Sequence, residues 1–257
     1  MGAFDQRSQP VRADWVTLPA AADQPTLRCW WARPGVGQPR AAVLLLPEVF
    51  GLNPWIRSVA ERIAAEGYGV LALPIFARSA PDLALGYDDG ALVEGRQHRD
   101  AVTAAGLLHD ARRAISWLQQ QSGLVERPLA CVGFCFGGHL SLLVATLPQV
   151  ALTCDFYGAR VSSFRPGGGP PTLEVLPQIQ GDLICLCGEL DPLIPPEELD
   201  AIAAALQASD SDRRRELMVL PGAGHGFMCE ARADFDPAAA RVGWQTLLAA
   251  LEQSLGG

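Results

Sequence analysis

The stretch Cys131-Val-Gly-Phe-Cys-Phe-Gly-Gly-His139 decides how this chain is read. Apolar residues lead in from Pro128, and an apolar run at helical spacing leaves through Ala145. That is strand, sharp turn, helix, with Cys135 at the apex of Gly-x-Cys-x-Gly. The apex of such a turn is strained, and its neighbours pass close to the next strand and helix, where only residues without a Cβ fit. The turn sets Cys135 at a helix N-terminus, where unpaired N–H groups and the helix dipole favour a thiolate or an oxyanion. The alternative is a glycine-rich turn around a buried, inert thiol.

Composition narrows what the protein does. The chain has 257 residues, 49% hydrophobic and 19% charged, which suits one globular α/β domain over 1–257 with a large core. A net charge of −8 and the absence of a dominant basic patch argue against nucleic-acid binding. The basic run Arg213-Arg214-Arg215 is flanked by Asp212 and Glu216 and reads as a solvated connection. Seven Cys, mostly inside apolar runs, read as reduced thiols of a cytoplasmic protein. Cys185-Leu-Cys187 has no second pair at metal-ligand spacing, so neither metal nor cofactor is expected. The N-terminus has neither the basic region nor the apolar core of a signal peptide, and no apolar run reaches the ~20 residues of a membrane span.

Along the chain, strands alternate with helices from Ala41 onward, which predicts a mostly parallel sheet with helices on both faces. Residues 1–10 read as loose, and Trp15–Leu18 and Leu27–Trp31 as an antiparallel opening pair. Ala41–Leu46 and Val70–Leu73 read as buried strands around a helix opened by Pro54. Residues 74–100 read as irregular and Ala101–Gln120 as one helix. Strands follow the elbow at Val150–Tyr157, Leu183–Cys187 and Glu216–Leu220, with helices at Pro196–Ala208 and Pro237–Leu255. Gly158–Pro177 carries too many Gly and Pro for regular structure, and loops of that length are commonly functional.

A cysteine nucleophile needs a base, an orienting acid and an oxyanion hole. Of four His, His98 and His109 lie in or near the long helix on an exposed-looking face, and His139 lies inside the helix after the elbow. His225 sits between glycines in Pro221-Gly-Ala-Gly-His-Gly-Phe227, just past the last strand, and is the candidate base. Asp191, in Cys187-Gly-Glu-Leu-Asp-Pro192, is the candidate acid. The order Cys135, Asp191, His225, each on the loop after a strand, is that of the α/β-hydrolase fold. Its oxyanion hole would use the N–H of Phe136 and one from the loop after Ala41–Leu46, expected to be Val49.

Four stretches together resemble the dienelactone hydrolases: Leu46-Pro-Glu-Val-Phe-Gly-Leu-Asn53, Gly133-Phe-Cys-Phe-Gly-Gly138, Gly188-Glu-Leu-Asp-Pro192 and Gly222-Ala-Gly-His-Gly-Phe227. The resemblance runs from about residue 11 to the end. It implies a Cys135–His225–Asp191 triad opening small lactones or cleaving small esters through an acyl-enzyme. It further implies that Glu48 interacts with the thiol, keeping it neutral at rest, and that Arg78 helps hold a substrate carboxylate. The sequence departs from the pattern twice. Cys229 stands where the family has a second Arg, with Arg232 out of register, and Gly226 stands where the best-known members have Ser. A thioesterase or general carboxylesterase on the same residues, or a non-catalytic redox-sensing thiol protein, are the alternatives. The expected partner is a small-molecule substrate, without membrane or nucleic acid, and the expected assembly a monomer or weak homodimer.

Overall fold

The structure is a computed structural model and describes residues 10–20, 24–121, 123–209 and 212–256. Residues 1–9, read as loose, therefore lie outside the described residues.

Eight strands form one sheet: β1 (Val11–Leu18), β2 (Leu27–Pro34), β3 (Ala42–Leu46), β4 (Gly69–Ala72), β5 (Leu129–Phe134), β6 (Val150–Phe156), β7 (Asp182–Gly188) and β8 (Arg215–Leu220). Their order is β1-β2-β4-β3-β5-β6-β7-β8. β1 and β2 pair antiparallel, β2 meets β4 antiparallel, and β4 through β8 run parallel. The expected parallel sheet with an antiparallel opening pair is the one observed. β3 and β5 are buried at every position because helices cover both faces, which is why they read as unbroken apolar runs rather than alternating ones.

Helices α1 (Pro54–Ala65) and α6 (Pro237–Leu255) pack against one face with Val43, Leu45, Val132 and Leu186. On the other face, α3 (Ala104–Gln119), α4 (Phe136–Val144) and α5 (Pro196–Ala208) pack against Leu44, Leu46, Cys131 and Cys185. Local signals start these helices. Asn53 caps α1 through Ile56 N–H with Pro54 at the first turn, Thr103 caps α3, and Asp236 caps α6 ahead of Pro237.

Three expectations need correction. Residues 74–100 are not irregular throughout, because Asp89–Asp100 forms a helix, α2, capped by the Asp88 side chain. Only Ala91 and Gly95 of α2 are buried, so it presents no apolar stripe to read. The helix expected over 101–120 begins at Ala104, after the Thr103 cap. The Gly/Pro-rich stretch 158–177 is mostly turns, but it runs into a short 3-10 helix at Thr172–Gln178.

Strand order reverses around β3, since β4 lies on one side and β5 on the other. The loops leaving the carboxyl ends of β3 and β5 therefore part and open a crevice. Those loops carry Glu48, Val49 and Cys135, and the loops after β7 and β8 carry Asp191 and His225.

Helix α2 roofs this crevice at close range. A Cβ on Gly95 would stand 2.4 Å from the Val49 carbonyl oxygen. Gly95→Ala would gain up to ~1 kcal/mol of helix propensity, but it must push backbone from backbone, an overpacking cost of ~1–3 kcal/mol. The clash should win. A fall in Tm of roughly 2–10 °C is expected in a thermal melt, at ~2–4 °C per kcal/mol for this size. A variant as stable as the parent would show that α2 does not pack on Val49 so closely.

Candidate active site

Cys135 sits between β5 and α4 with φ 54° and ψ −117°, a conformation costing a non-glycine residue ~1–3 kcal/mol. Its backbone is held on both sides: its N–H donates to Phe156 O at 2.9 Å, and its carbonyl accepts from His139 N–H at 3.1 Å. The flanking glycines are required by close backbone approach. A Cβ on Gly133 would lie 2.0 Å from Gly137 O, and one on Gly137 would lie 2.3 Å from Leu46 O. The Gly-x-Cys-x-Gly spacing is thus the steric condition for stacking β3, β5 and α4 around the thiol.

His225 reaches this thiol. Its Nε2 is 3.0 Å from Cys135 Sγ, and its Nδ1 is 2.7 Å from Asp191 Oδ2. Asp191 is itself oriented, its Oδ1 accepting the Leu193 N–H at 2.8 Å. His225 and Asp191 are 4% and 3% exposed, so the chain of contacts works largely without water. Burial disfavours a charged His225 ring, but Cys135 and Asp191 outweigh it and raise its pKa to about 10. The ring is therefore well suited to taking a proton from the thiol and holding it. Tyr157 packs edge-on against the ring at 5.2 Å.

The β3 loop brings Glu48 and Val49 alongside. Val49 lines the cavity at Cys135 together with Phe136. Phe136 is the first residue of α4, so its N–H has no intrahelical carbonyl to bond. Glu48 is 2% exposed and does not line the cavity. Among the described residues no hydrogen bond joins it to Cys135. Instead its Oε1 accepts from Arg232 at 3.0 Å, while Oε2 is left without a hydrogen bond. Burial raises the Glu48 pKa against the opposing pull of Arg232.

Arg232 is the residue that the sequence reading set aside as out of register. It lines the cavity, pairs with Glu48, and holds Asp234 through Nε at 3.0 Å and a second nitrogen at 3.1 Å. The loop after His225 makes this possible by folding back on itself, Gly226 N–H donating to Asp234 Oδ2 at 2.9 Å. That fold also accounts for Gly226: a Cβ there would lie 2.2 Å from Arg232 Nε and 2.4 Å from Asp234 Oδ1. Cys229 is buried close to the Tyr87 hydroxyl and Glu48, away from the cavity.

Arg78 is not brought to this site. Its guanidinium forks onto the buried Asp110 carboxylate of α3 and donates to Gln24 at 2.6 Å, and it does not line the cavity. Three arginines that the sequence reading did not single out stand at the cavity instead: Arg96 and Arg99 of α2, and Arg160 after β6. His98 and His109 are partly buried and do not line the thiol's cavity, and His139 lines it from α4.

The cavity holds about 140 Å³, small beside the ~300–1,000 Å³ of sites for drug-sized ligands. Among the described residues no cluster of ligands could hold a metal ion.

This sheet, this turn and this crevice define an α/β hydrolase. The model of the "Dienelactone hydrolase family" matches residues 28–255. A "Putative carboxymethylenebutenolidase" of Synechocystis sp. is 36% identical over 203 residues, covering 79% of this chain and 82% of its own. A "Probable 2-oxo-3-(5-oxofuran-2-ylidene)propanoate lactonase" of Bradyrhizobium sp. is 27% identical over 252 residues, covering 97% and 98%. The crystal structure of a "Putative Dienelactone Hydrolase" from Klebsiella pneumoniae superposes with a TM-score of 0.84 at 26% identity, covering 95% of this chain and 100% of that one. The chain belongs to the dienelactone hydrolase family and is a hydrolase of the lactone and ester class.

The Glu48–Arg232 pair yields a test. Glu48→Gln removes a negative charge beside Arg232 and leaves that cation opposed by Asp234 alone. The field at Cys135 becomes more positive and favours the thiolate. Iodoacetamide should then alkylate Cys135 several-fold faster at neutral pH, read by mass spectrometry of the Cys135 peptide. Unchanged kinetics would separate Glu48 from the thiol's electrostatics.

Proposed function

We propose that this protein hydrolyses small lactones and carboxylic esters by covalent catalysis at Cys135. The observation that carries the reading is the continuous contact from Sγ to His225 at 3.0 Å and from His225 to Asp191 at 2.7 Å. In this scheme His225 Nε2 takes the thiol proton as Sγ attacks the carbonyl carbon. The carbonyl oxygen becomes an oxyanion, which the N–H groups of Phe136 and Val49 stabilise. Collapse expels the alkoxide, which takes the proton from His225. In a lactone it stays tethered as a hydroxyl. Water, deprotonated by His225, then attacks the thioester and releases the carboxylic acid and the thiol. Asp191 keeps the Nδ1–H tautomer in place throughout. A thiol that only senses oxidants needs neither the base nor its orienting acid.

The substrate of this reading carries an anionic group. The chain as a whole is acidic at −8, yet Arg96, Arg99, Arg160 and Arg232 line one small cavity. Arg232 is balanced by Glu48 and Asp234, and Arg99 pairs with Asp100. Arg96 and Arg160 are exposed and are the cations best placed for a carboxylate at the mouth. The Bradyrhizobium relative is named for a lactone joined to an oxo acid, in keeping with such a substrate. Arg78, held by Asp110, has no part in this clamp. The seven unpaired thiols suit a reducing, cytoplasmic setting, and no described helix is long and apolar enough to cross a membrane.

Cys135→Ala should abolish turnover of both a short-chain acid-ester and its methyl ester while leaving the melt nearly unchanged; full activity would end the mechanism. Arg96→Ala with Arg160→Ala should raise KM for the acid roughly ten-fold and spare the methyl ester, since exposed charge pairs contribute up to ~1 kcal/mol each. Arg78→Ala should leave that acid-to-ester ratio alone and lower stability, because the buried Asp110 loses its bidentate partner and keeps only longer contacts, Arg113 at 3.6 Å among them. Equal losses on both substrates would remove the anionic clamp.

A further inference from the structure

The loop between β6 and the 3-10 helix supplies Ala159, Arg160 and Phe164 to the cavity wall. Its outer side is tied to neighbouring helices. Ala104 N–H at the start of α3 donates to Pro166 O at 2.8 Å, and Ser162 N–H donates to Glu198 of α5 at 2.9 Å. On its cavity side lies the buried His139 side chain. Nδ1 lies 2.8 Å from Ala159 O, and Nε2 lies 2.8 Å from Thr172 Oγ1. Ala159 and Thr172 are the two ends of the loop, so a single imidazole bridges them.

The chemistry of these contacts is fixed. A carbonyl oxygen only accepts, so Nδ1 carries the proton; Nε2 of the neutral ring then accepts from the Thr172 hydroxyl. Burial, partly offset by the bond to Ala159, lowers the His139 pKa to about 4, so the ring is neutral near pH 7. The bond to Ala159 also fixes the peptide plane preceding Arg160. Arg160 has φ 63°, a left-handed conformation that a residue with a Cβ keeps only when its surroundings hold it there. Its guanidinium stacks on Phe164 at 4.9 Å, and Phe164 meets the His139 ring edge-on at 5.8 Å. His139 lies one helical turn beyond Cys135 on α4 and donates its N–H to the Cys135 carbonyl. The same turn of helix therefore anchors the thiol and both ends of the loop.

We propose that His139 is a positioning residue that clasps loop 159–172 and thereby holds Arg160 at the cavity mouth, where it meets the substrate's carboxylate, fixing the preference for anionic substrates. This rests on the hydrolytic reading for its kinetic readout, but has a second readout that needs no turnover. The test removes one half of the clasp with a near-isosteric change, Thr172→Val, and restores it with Thr172→Ser. For Thr172→Val, KM for the acid-ester should rise roughly five-fold, with kcat within two-fold and the methyl ester little altered. Thr172→Ser should return to the parent values. In parallel, Cys135 is alkylated with the anion iodoacetate and with neutral iodoacetamide. The iodoacetate rate should fall several-fold in Thr172→Val while the iodoacetamide rate holds. Should Thr172→Val fail to fold, His139→Asn keeps a donor for Ala159, loses the Thr172 bond, and should shift the alkylation ratio in the same direction.

An unchanged acid-to-ester ratio together with an unchanged alkylation ratio would overturn the clasp, as would Thr172→Ser behaving like Thr172→Val. If the parent protein turned over neither ester, the hydrolytic reading would fall, and the alkylation ratio alone would decide the clasp.

Discussion

Three backbones crowd around one sulfur. β3 ends at Leu46, β5 at Phe134, and α4 begins at Phe136, so Cys135 is the corner where all three meet. Glycine at 133 and 137 lets them touch, and the left-over strain falls on Cys135, whose φ is positive. The consequences run through the site. The strained corner sets the thiol at the crevice beside Phe136, the first residue of α4, and fixes where His225 must reach. A side chain at either glycine would separate strand from helix before it changed any chemistry.

Around that corner the charges are arranged in pairs that answer one another. Glu48 is buried, and Arg232 opposes its charge most strongly, with His225 adding to it. Arg232 is shared with Asp234, which in turn holds the loop that carries His225. His225, Glu48 and Arg232 are thus mechanically linked through a few residues after β8. Gly226 is the steric concession that lets this linkage close.

Much of this was legible in the sequence because it is local. The elbow, the strands buried on both faces, and the capped helices at Pro54 and Pro237 each declare themselves within a few residues. So do Asp191 and His225, which follow strands directly. What escaped was set by tertiary contacts. α2 buries only Ala91 and Gly95, so no periodic stripe marks it, although Asp88 was an available cap signal. Arg78 reads as a crevice cation until α3 is placed. Asp110 on the buried face of that helix was the clue, since a buried carboxylate demands a cation. Arg232 escaped because six residues of loop separate it from His225, and tertiary contacts such as Gly226–Asp234 fold it back. His139 read as a packed helix residue, and its two partners lie 20 and 33 residues further along the chain.

The central claim is that the thiol of Cys135, not water activated in its place, attacks the ester carbonyl. The direct measurement is intact-protein and peptide mass spectrometry after rapid acid quench of the enzyme turning over a slow, activated ester. The account predicts one added acyl group per chain, mapped to the Cys135 peptide and released by neutral hydroxylamine as a thioester should be. Steady turnover with Cys135 unmodified throughout, or an acyl group carried by a different residue, would contradict it.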